Sequence, residues 1–416
     1  MKKSGSSKKQ RRPWSGNNRT CYFFLPALCQ TRGGLFCGIA SGNGKDNIDP
    51  VRILDQERAR LSQARPLAVY HPVKLDRAGL SKEAFDRLRK DSPALFKESS
   101  AYQLARAEED LADHLGALQD SLSTGRPALF LDYVRRACIF FSIRHLSPHY
   151  LPDSLLALRE VIDEHLTGDL RVNADAFLKK GIAAARETPI VPPDCFDDRD
   201  PLSGTAREYL DALVKADRAP ATTILADAAA SGVSADDLSL RVLVPVLEET
   251  GRRWLVQETS VAEEHYISAA AAADLFRLNE RARAEHPTVP RGKSVIVAAA
   301  EQDLHAIGMQ MVAGFFERDG WDTYYIGPNT PAQSLIHAAR DRKADVIALS
   351  CSMPAYLSAL SYLIRSLRAD PATAHAKILV GGRPFATDPP LWHQIGADGY
   401  AKDAAAAVAE AHRLTG

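Results

Sequence analysis

The chain has 416 residues, enough for two or three domains. Its 52 lysines and arginines balance 52 aspartates and glutamates, so no net field favours nucleic acid or an acidic membrane surface. No apolar run approaches the length of a membrane span; of the six cysteines, Cys21, Cys29 and Cys37 lie in the N-terminal segment, and the spacing of Cys138, Cys195 and Cys351 suggests neither a disulfide framework nor a zinc site, so a reducing cytoplasm is the expected setting.

The first 60 residues look non-globular. "KKSGSSKKQRRP" is basic and poor in apolar residues; "CYFFLPALC" and "GLFCGIASG" follow, broken by Pro26 and "RGG". A basic start before a short apolar piece resembles a targeting signal. The interruption, and the lack of a clean cleavage site, argue instead for a solvated basic tail or an upstream start that is not used.

Residues 74–187 read as a helical domain of four or so helices. Leu104, Leu111, Leu115, Leu118 and Leu122 recur at helical spacing, and Gly125 stops that run. Pro127 opens "PALFLDYVRRACIFFSIRHL" in the favoured first-turn position, and Pro152 opens "PDSLLALREVIDEHL", which Gly168 is expected to end. Residues 188–204, "TPIVPPDCFDDRDPLSG", are rich in proline and acid and read as a linker. Residues 205–285 then hold four helical segments with turn signals between them, the pattern of a small four-helix bundle.

From residue 292 to the end the pattern changes. "SVIVAAA", "DTYYIG", "DVIALSC" and "KILVGG" are each followed by a helical segment, and "DGYA" supplies a fifth strand. Such alternation means a doubly wound parallel sheet of the flavodoxin type, giving a fold class of α and α/β. Ligands of such sheets sit at the carboxyl ends of the strands near the switch point. Three loops belong to that edge: "EQDLHAIG" after the first strand, "SCSMPAY" after the third and "GGRPFA" after the fourth. A carboxylate behind an imidazole fixes its tautomer and raises its basicity, so Asp303 and His305 form a candidate metal-ligating pair. Gly308, and equally Gly381 and Gly382, would remove side chains where a large ligand meets backbone. Taken alone, Asp-x-His and glycine after a strand could equally be structural.

Asp303, His305 and Gly308, then Ser350, then Gly381-Gly382, lie in register over about eighty residues. The arrangement resembles the cobalamin-binding domain of methionine synthase, corrinoid methyl carriers and adenosylcobalamin-dependent mutases, with its Asp-x-His-x-x-Gly, Ser-x-Leu and Gly-Gly elements. The departure is Ser352, where that family generally has leucine; this loosens the apolar lining. The resemblance implies that His305 is the lower ligand of cobalt and that Asp303 supports it. It also implies a slot for the displaced nucleotide tail past Ser350 and the glycines, and a bundle that caps the other face of the corrin.

Within the bundle, Trp254 is followed after nine residues by Glu264-His265. Alone, these would be a core tryptophan and a surface Glu-His pair. Beside a cobalamin domain the spacing resembles CarH-type photoreceptors. It then implies that Trp254, Glu264 and His265 surround the adenosyl group of adenosylcobalamin and that light releases the bundle from the sheet. CarH has a histidine directly after the tryptophan and this chain has Leu255, so His265 or water would replace it as the light-state ligand. Residues 74–187 lack a basic recognition helix, so the expected output is contact with a regulatory protein or self-association, as in AerR-type antirepressors, with no direct nucleic-acid or membrane binding. The helical domain also resembles the layout of photocobilins, which hold a bilin. There, Arg135, Arg136, Arg144, His145 and His149 lie next to aromatic residues, although a structural helix explains them equally. A methyl carrier serving a separate methyltransferase, and the cobalamin subunit of a mutase, are the other readings.

Overall fold

The computed structural model describes residues 70–285 and 288–416; the basic segment expected as a tail lies outside them. Five helices come first: α1 (Arg77–Asp91), α2 (Ala101–Thr124), α3 (Ala128–Ile143), α4 (Tyr150–His165) and α5 (Gly168–Ala185). Ser100 and Gln103 form a reciprocal capping box at the start of α2, and Gly125 ends it in the left-handed conformation at φ 68°. Leu111, Leu115 and Leu118 are fully buried along one face, each worth about 2 kcal/mol of apolar burial. Two expected boundaries differ. Helix α4 begins at Tyr150, so Pro152 sits inside its first turn, where its missing N–H is not needed. The helix stops at His165, and Gly168, at φ 60°, opens α5 rather than closing α4.

The bundle contains α6 (Ser203–Val214), α7 (Arg218–Ala230), α8 (Ala235–Leu238), α9 (Val244–Leu255) and α10 (Val261–Glu285). A π-helical turn, Ser239–Leu243, lies between α8 and α9. That turn re-aims the following helix, and such insertions are frequent at functional sites. The bundle core takes in Met311 and Phe315, which belong to the sheet's first helix, so bundle and sheet share a packed seam. At that seam a Cβ on Gly314 would lie 2.6 Å from the Asn279 amide, so a side chain there would have to displace Asn279.

Strands β1 (Ser294–Ala299), β2 (Asp322–Gly327), β3 (Val346–Ser350), β4 (Lys377–Gly381) and β5 (Gly399–Ala401) form one parallel sheet in the order β2-β1-β3-β4-β5. Helices α11 (Ile307–Arg318), α12 (Ala332–Arg342), α13 (Leu357–Ala369), α14 (Arg383–Thr387), α15 (Leu391–Gln394) and α16 (Ala404–Thr415) alternate with the strands. Period-two side-chain alternation splits the sheet's core in two. Ile296, Ala298, Ile347 and Leu349 face one layer; Val295, Val297, Val346 and Ala348 face the other. The chain order reverses between β1 and β3, and the crevice at their carboxyl ends receives both the "EQDLHAIG" and the "SCSMPAY" loops. Among the described residues no helix is long and apolar enough to cross a membrane.

Candidate cobalamin site

The loop between β1 and α11 is held from below. Asp303 N–H donates to Ala300 O at 3.0 Å, Asn329 N–H donates to Asp303 O at 2.8 Å, and Gln302, at φ 71°, turns the chain. This puts the Asp303 side chain wholly inside the protein. Its carboxylate accepts from His305 N (3.1 Å), His305 Nδ1 (2.9 Å), Ser352 N (2.7 Å) and Ser352 Oγ (2.7 Å). Burial pushes its pKa up, but the hydrogen bonds from His305 and Ser352 outweigh that and hold it below the ordinary carboxylate range. A buried carboxylate that stays ionised assigns the imidazole proton to Nδ1. Nε2 is then left as a lone-pair donor. Ser352 Oγ lies 2.7 Å from that Nδ1 as well, so aspartate, serine and histidine form one closed network.

Ser352 was therefore misjudged from sequence as a weakened apolar contact. It is the residue that connects the β3 loop to the histidine. The signal was present, since a serine two residues beyond the strand end has the reach and polarity to meet Asp303, but strand register alone does not say which loop residue turns inward.

Above the histidine lies a cleft of about 200 Å³ between sheet and bundle. Its sheet side is built by His305, Gly308, Ser350, Gly381, Gly382 and Arg383, and its bundle side by Leu240, Val244, Leu247 and Glu248. A Cβ on Gly308 would meet open space, so this glycine keeps the cleft clear. Gly382 is glycine for a different reason from the one its spacing suggested. Its φ is 112°, and a Cβ there would lie 2.0 Å from Cys351 O, so the backbone packing alone forbids a side chain. Gly381 is closely approached too, with its Cβ position 3.1 Å from Ala401 O. The bundle-side residues were missed from sequence, because a core leucine and a cleft-lining leucine share one periodicity. Their placement follows from the π-helical turn, which carries Leu240 to the cleft.

Trp254, Glu264 and His265 are not brought to this wall. Trp254 ends α9 and packs among Phe140, Ile143, Leu255 and Val256, with its ring 6.1 Å from that of Phe140. Glu264 accepts from Ser268 Oγ at 2.8 Å, and His265 is exposed beside it at 3.4 Å. The basic and histidine residues of α3 and of the segment that follows it scatter likewise. Arg136 is buried, Arg144 lies over the Phe140 ring at 3.4 Å, and Arg135, His145 and His149 face solvent.

An imidazole fixed through Nδ1 with Nε2 free, and an open cleft over a glycine, fit a large metal-centred macrocycle held at a switch point. Both the donor type and the side-chain-free wall at Gly308 suit it. These features define a bundle-capped cobalamin-binding protein. Comparison with known families agrees: residues 293–409 match the B12 binding domain, and residues 205–278 match a second family of the same description. A dimethylamine corrinoid protein of Methanosarcina barkeri is 30% identical over 178 residues, 41% of this chain and 76% of that protein. Dimethylamine corrinoid protein 1 of Methanosarcina acetivorans is 29% identical over 172 residues, with the same two shares. The solved monomethylamine corrinoid protein of Methanosarcina barkeri aligns at 20% identity with a TM-score of 0.46, over 51% of this chain and 99% of its own. The chain belongs to the cobalamin-binding corrinoid protein family. Both family matches, residues 205–278 and 293–409, lie beyond helices α1–α5.

Proposed function

We propose that the protein is a corrinoid methyl carrier that presents its cobalamin to a separate methyltransferase. The observation that carries this reading is the fixed His305 below a bundle-lined cleft, in a chain 30% identical to a dimethylamine corrinoid protein over 178 residues. Bound cobalamin would supply a transferable cobalt–carbon bond, and the protein holds and tunes it. His305 Nε2 would be the lower donor. Asp303 and Ser352 would set its tautomer and basicity by accepting hydrogen bonds from Nδ1–H and by fixing the ring plane. Leu240, Val244 and Leu247 keep water from the opposite face, a small apolar lid suited to a methyl group. In this reading the chain is a carrier and the partner is the catalyst.

A second reading keeps one specific observation in its favour, the Trp254-x9-Glu264-His265 spacing. Under it the protein senses light through adenosylcobalamin, with a regulatory partner or self-association as output and a bilin site among α1–α5 as a further element. The packing of Trp254 on Phe140, away from the cleft wall, weighs against Trp254 as an adenosyl contact in this conformation.

One experiment separates the two. The full chain is loaded in the dark with methylcobalamin or adenosylcobalamin, then mixed with a corrinoid-dependent methyltransferase and a thiol acceptor, or illuminated. The carrier should lose its methyl group to the thiol and keep its mass in light. An inert methyl form, together with a light-triggered change in mass of the adenosyl form, would sink the carrier in favour of the sensor.

A further inference from the structure

The helices preceding residue 205 touch both sides of the cobalamin cleft, and they do so through one element, α3. On the sheet side, Asp132 of α3 accepts from Arg383 Nη2 at 2.7 and 2.8 Å and from Nε at 3.2 Å, a two-pronged pair. Arg383 directly follows the glycine pair and lines the cleft itself. Further contacts fix these helices to the same side: Arg126 pairs with Asp388 at 2.6 Å, and Gln394 Nε2 donates to Thr124 O at 3.4 Å. Tyr70 and Leu129 enter the sheet's own apolar core. The N-terminal helices are thus part of the sheet body.

Their hold on the bundle is of another kind. Ile139, Phe140 and Ile143 of α3 meet Trp254, Leu255 and Val256 in a small separate apolar cluster. That cluster lies at the far end of α9, whose other end, through Val244, Leu247 and Glu248, forms the cleft wall. A 12-residue helix is about 18 Å long and stiff. Its Trp254 end is further locked by buried Glu249, which accepts from Arg252 Nε at 2.8 Å and Arg253 Nε at 2.8 Å. Helix α9 is therefore a lever with the cofactor at one end and α3 at the other.

We infer that α3 is an internal strap: anchored to the cofactor loop by Asp132–Arg383, it holds the bundle shut over the cleft through the Phe140–Trp254 contact. A bundle that swings away from the sheet must part from Phe140 as well as from the Met311–Phe315 seam, because α3 stays with the sheet. The strap gates entry and release of cobalamin and access of any partner to the face opposite His305. This inference rests on cobalamin binding alone and not on methyl transfer or light sensing.

The test uses the full chain and hydroxocobalamin. Phe140→Ala removes the ring from the bundle side, and Asp132→Arg repels Arg383 on the sheet side. Each should raise the rate of hydroxocobalamin release about tenfold and speed amide exchange over residues 244–256. Exchange over α4, within the helical core, should stay at the wild-type level, which shows that the helices are still folded. Phe140→Leu, which keeps an apolar partner for Trp254, should hold release within about threefold of wild type. Release and exchange within twofold of wild type in both Phe140→Ala and Asp132→Arg would overturn the strap, as would a Phe140→Leu variant as defective as Phe140→Ala. Failure of the wild-type chain to take up hydroxocobalamin would instead overturn the cobalamin site, because the exchange difference is also read on the unloaded protein.

Discussion

Ser352→Ala removes one hydroxyl and tests the network beneath the cleft. In the wild type that hydroxyl donates to Asp303 Oδ1 at 2.7 Å while lying 2.7 Å from His305 Nδ1. Asp303 is fully buried and keeps its other donors, the amides of His305 and Ser352 and the imidazole. The loss is thus one hydrogen bond to a charged group, about 1.5–3 kcal/mol, with no large cavity because only an oxygen is deleted. At about 2–4 °C per kcal/mol for a unit of this size, the melting temperature should fall by roughly 3–12 °C at pH 7. The pH dependence makes the test specific. A carboxylate whose folded pKa lies below its unfolded value contributes stability that is complete above the unfolded pKa, near 4, and is lost as pH falls through the folded one. The gap between variant and wild type should therefore be full at pH 7 and narrow steadily below about pH 4. Thermal melts of the unloaded chain from pH 3 to pH 8 read both quantities. A variant that melts with the wild type at pH 7, or a gap that does not change in acid, would refute the assignment of Ser352 to the aspartate–histidine network.

Further outcomes are expected elsewhere. Gly308→Leu should leave the melting temperature within about 2 °C, since its side chain enters open space. It should also abolish hydroxocobalamin uptake measured by equilibrium dialysis; unchanged uptake would mean the ligand lies elsewhere. Gly382→Ala should destabilise by about 3 kcal/mol or more, because φ 112° and the 2.0 Å approach to Cys351 O add together; denaturant unfolding of the unloaded chain measures it. In the N-terminal helices, burial pushes the Asp120 carboxyl up to about 7, so its ionisation destabilises the fold progressively as pH rises from about 4 toward that value. Asp120→Asn should match the wild type near pH 4 and exceed it by about 2 kcal/mol at pH 8, partial exposure being allowed for; a variant no more stable at pH 8 contradicts this. Burial also lowers His114 to about 3, and its stability contribution is complete above pH 6.5 and is lost as pH falls toward 3. Replacing it with the similarly sized Gln should flatten the acid limb of the wild-type stability curve, as seen in melts between pH 4 and pH 7.

The architecture was legible because its signals are periodic and redundant. The five strands occur where apolar runs alternate with helical segments, and each run is bounded by its own turn residues. Helix ends were less legible because they depend on single dihedral angles. Gly125 and Gly168 look alike in sequence, and both adopt positive φ, yet one closes a helix and the other opens the next. Nothing in composition distinguishes them. The π-helical turn at Ser239–Leu243 was invisible for a related reason. One extra residue in a turn barely disturbs an apolar stripe, but it rotates everything that follows.

The site divides along the same line. Asp303 and His305 lie two apart on one loop, so their pairing is a local matter and follows from spacing and chemistry. Ser352 is 49 residues away from Asp303, and its role depends on β3 lying beside β1 in a particular register. Trp254 shows how the same limit acts in reverse. A tryptophan nine residues before Glu264 reads as part of the cofactor pocket, because spacing alone does not say that α3 competes for the same ring. The indole has a large apolar face and goes where apolar partners surround it, here Phe140, Ile143 and Leu255. The N-terminal helices therefore change the meaning of a bundle residue without altering its sequence context. Any assignment of Trp254 to the cofactor must include the free energy needed to separate it from Phe140.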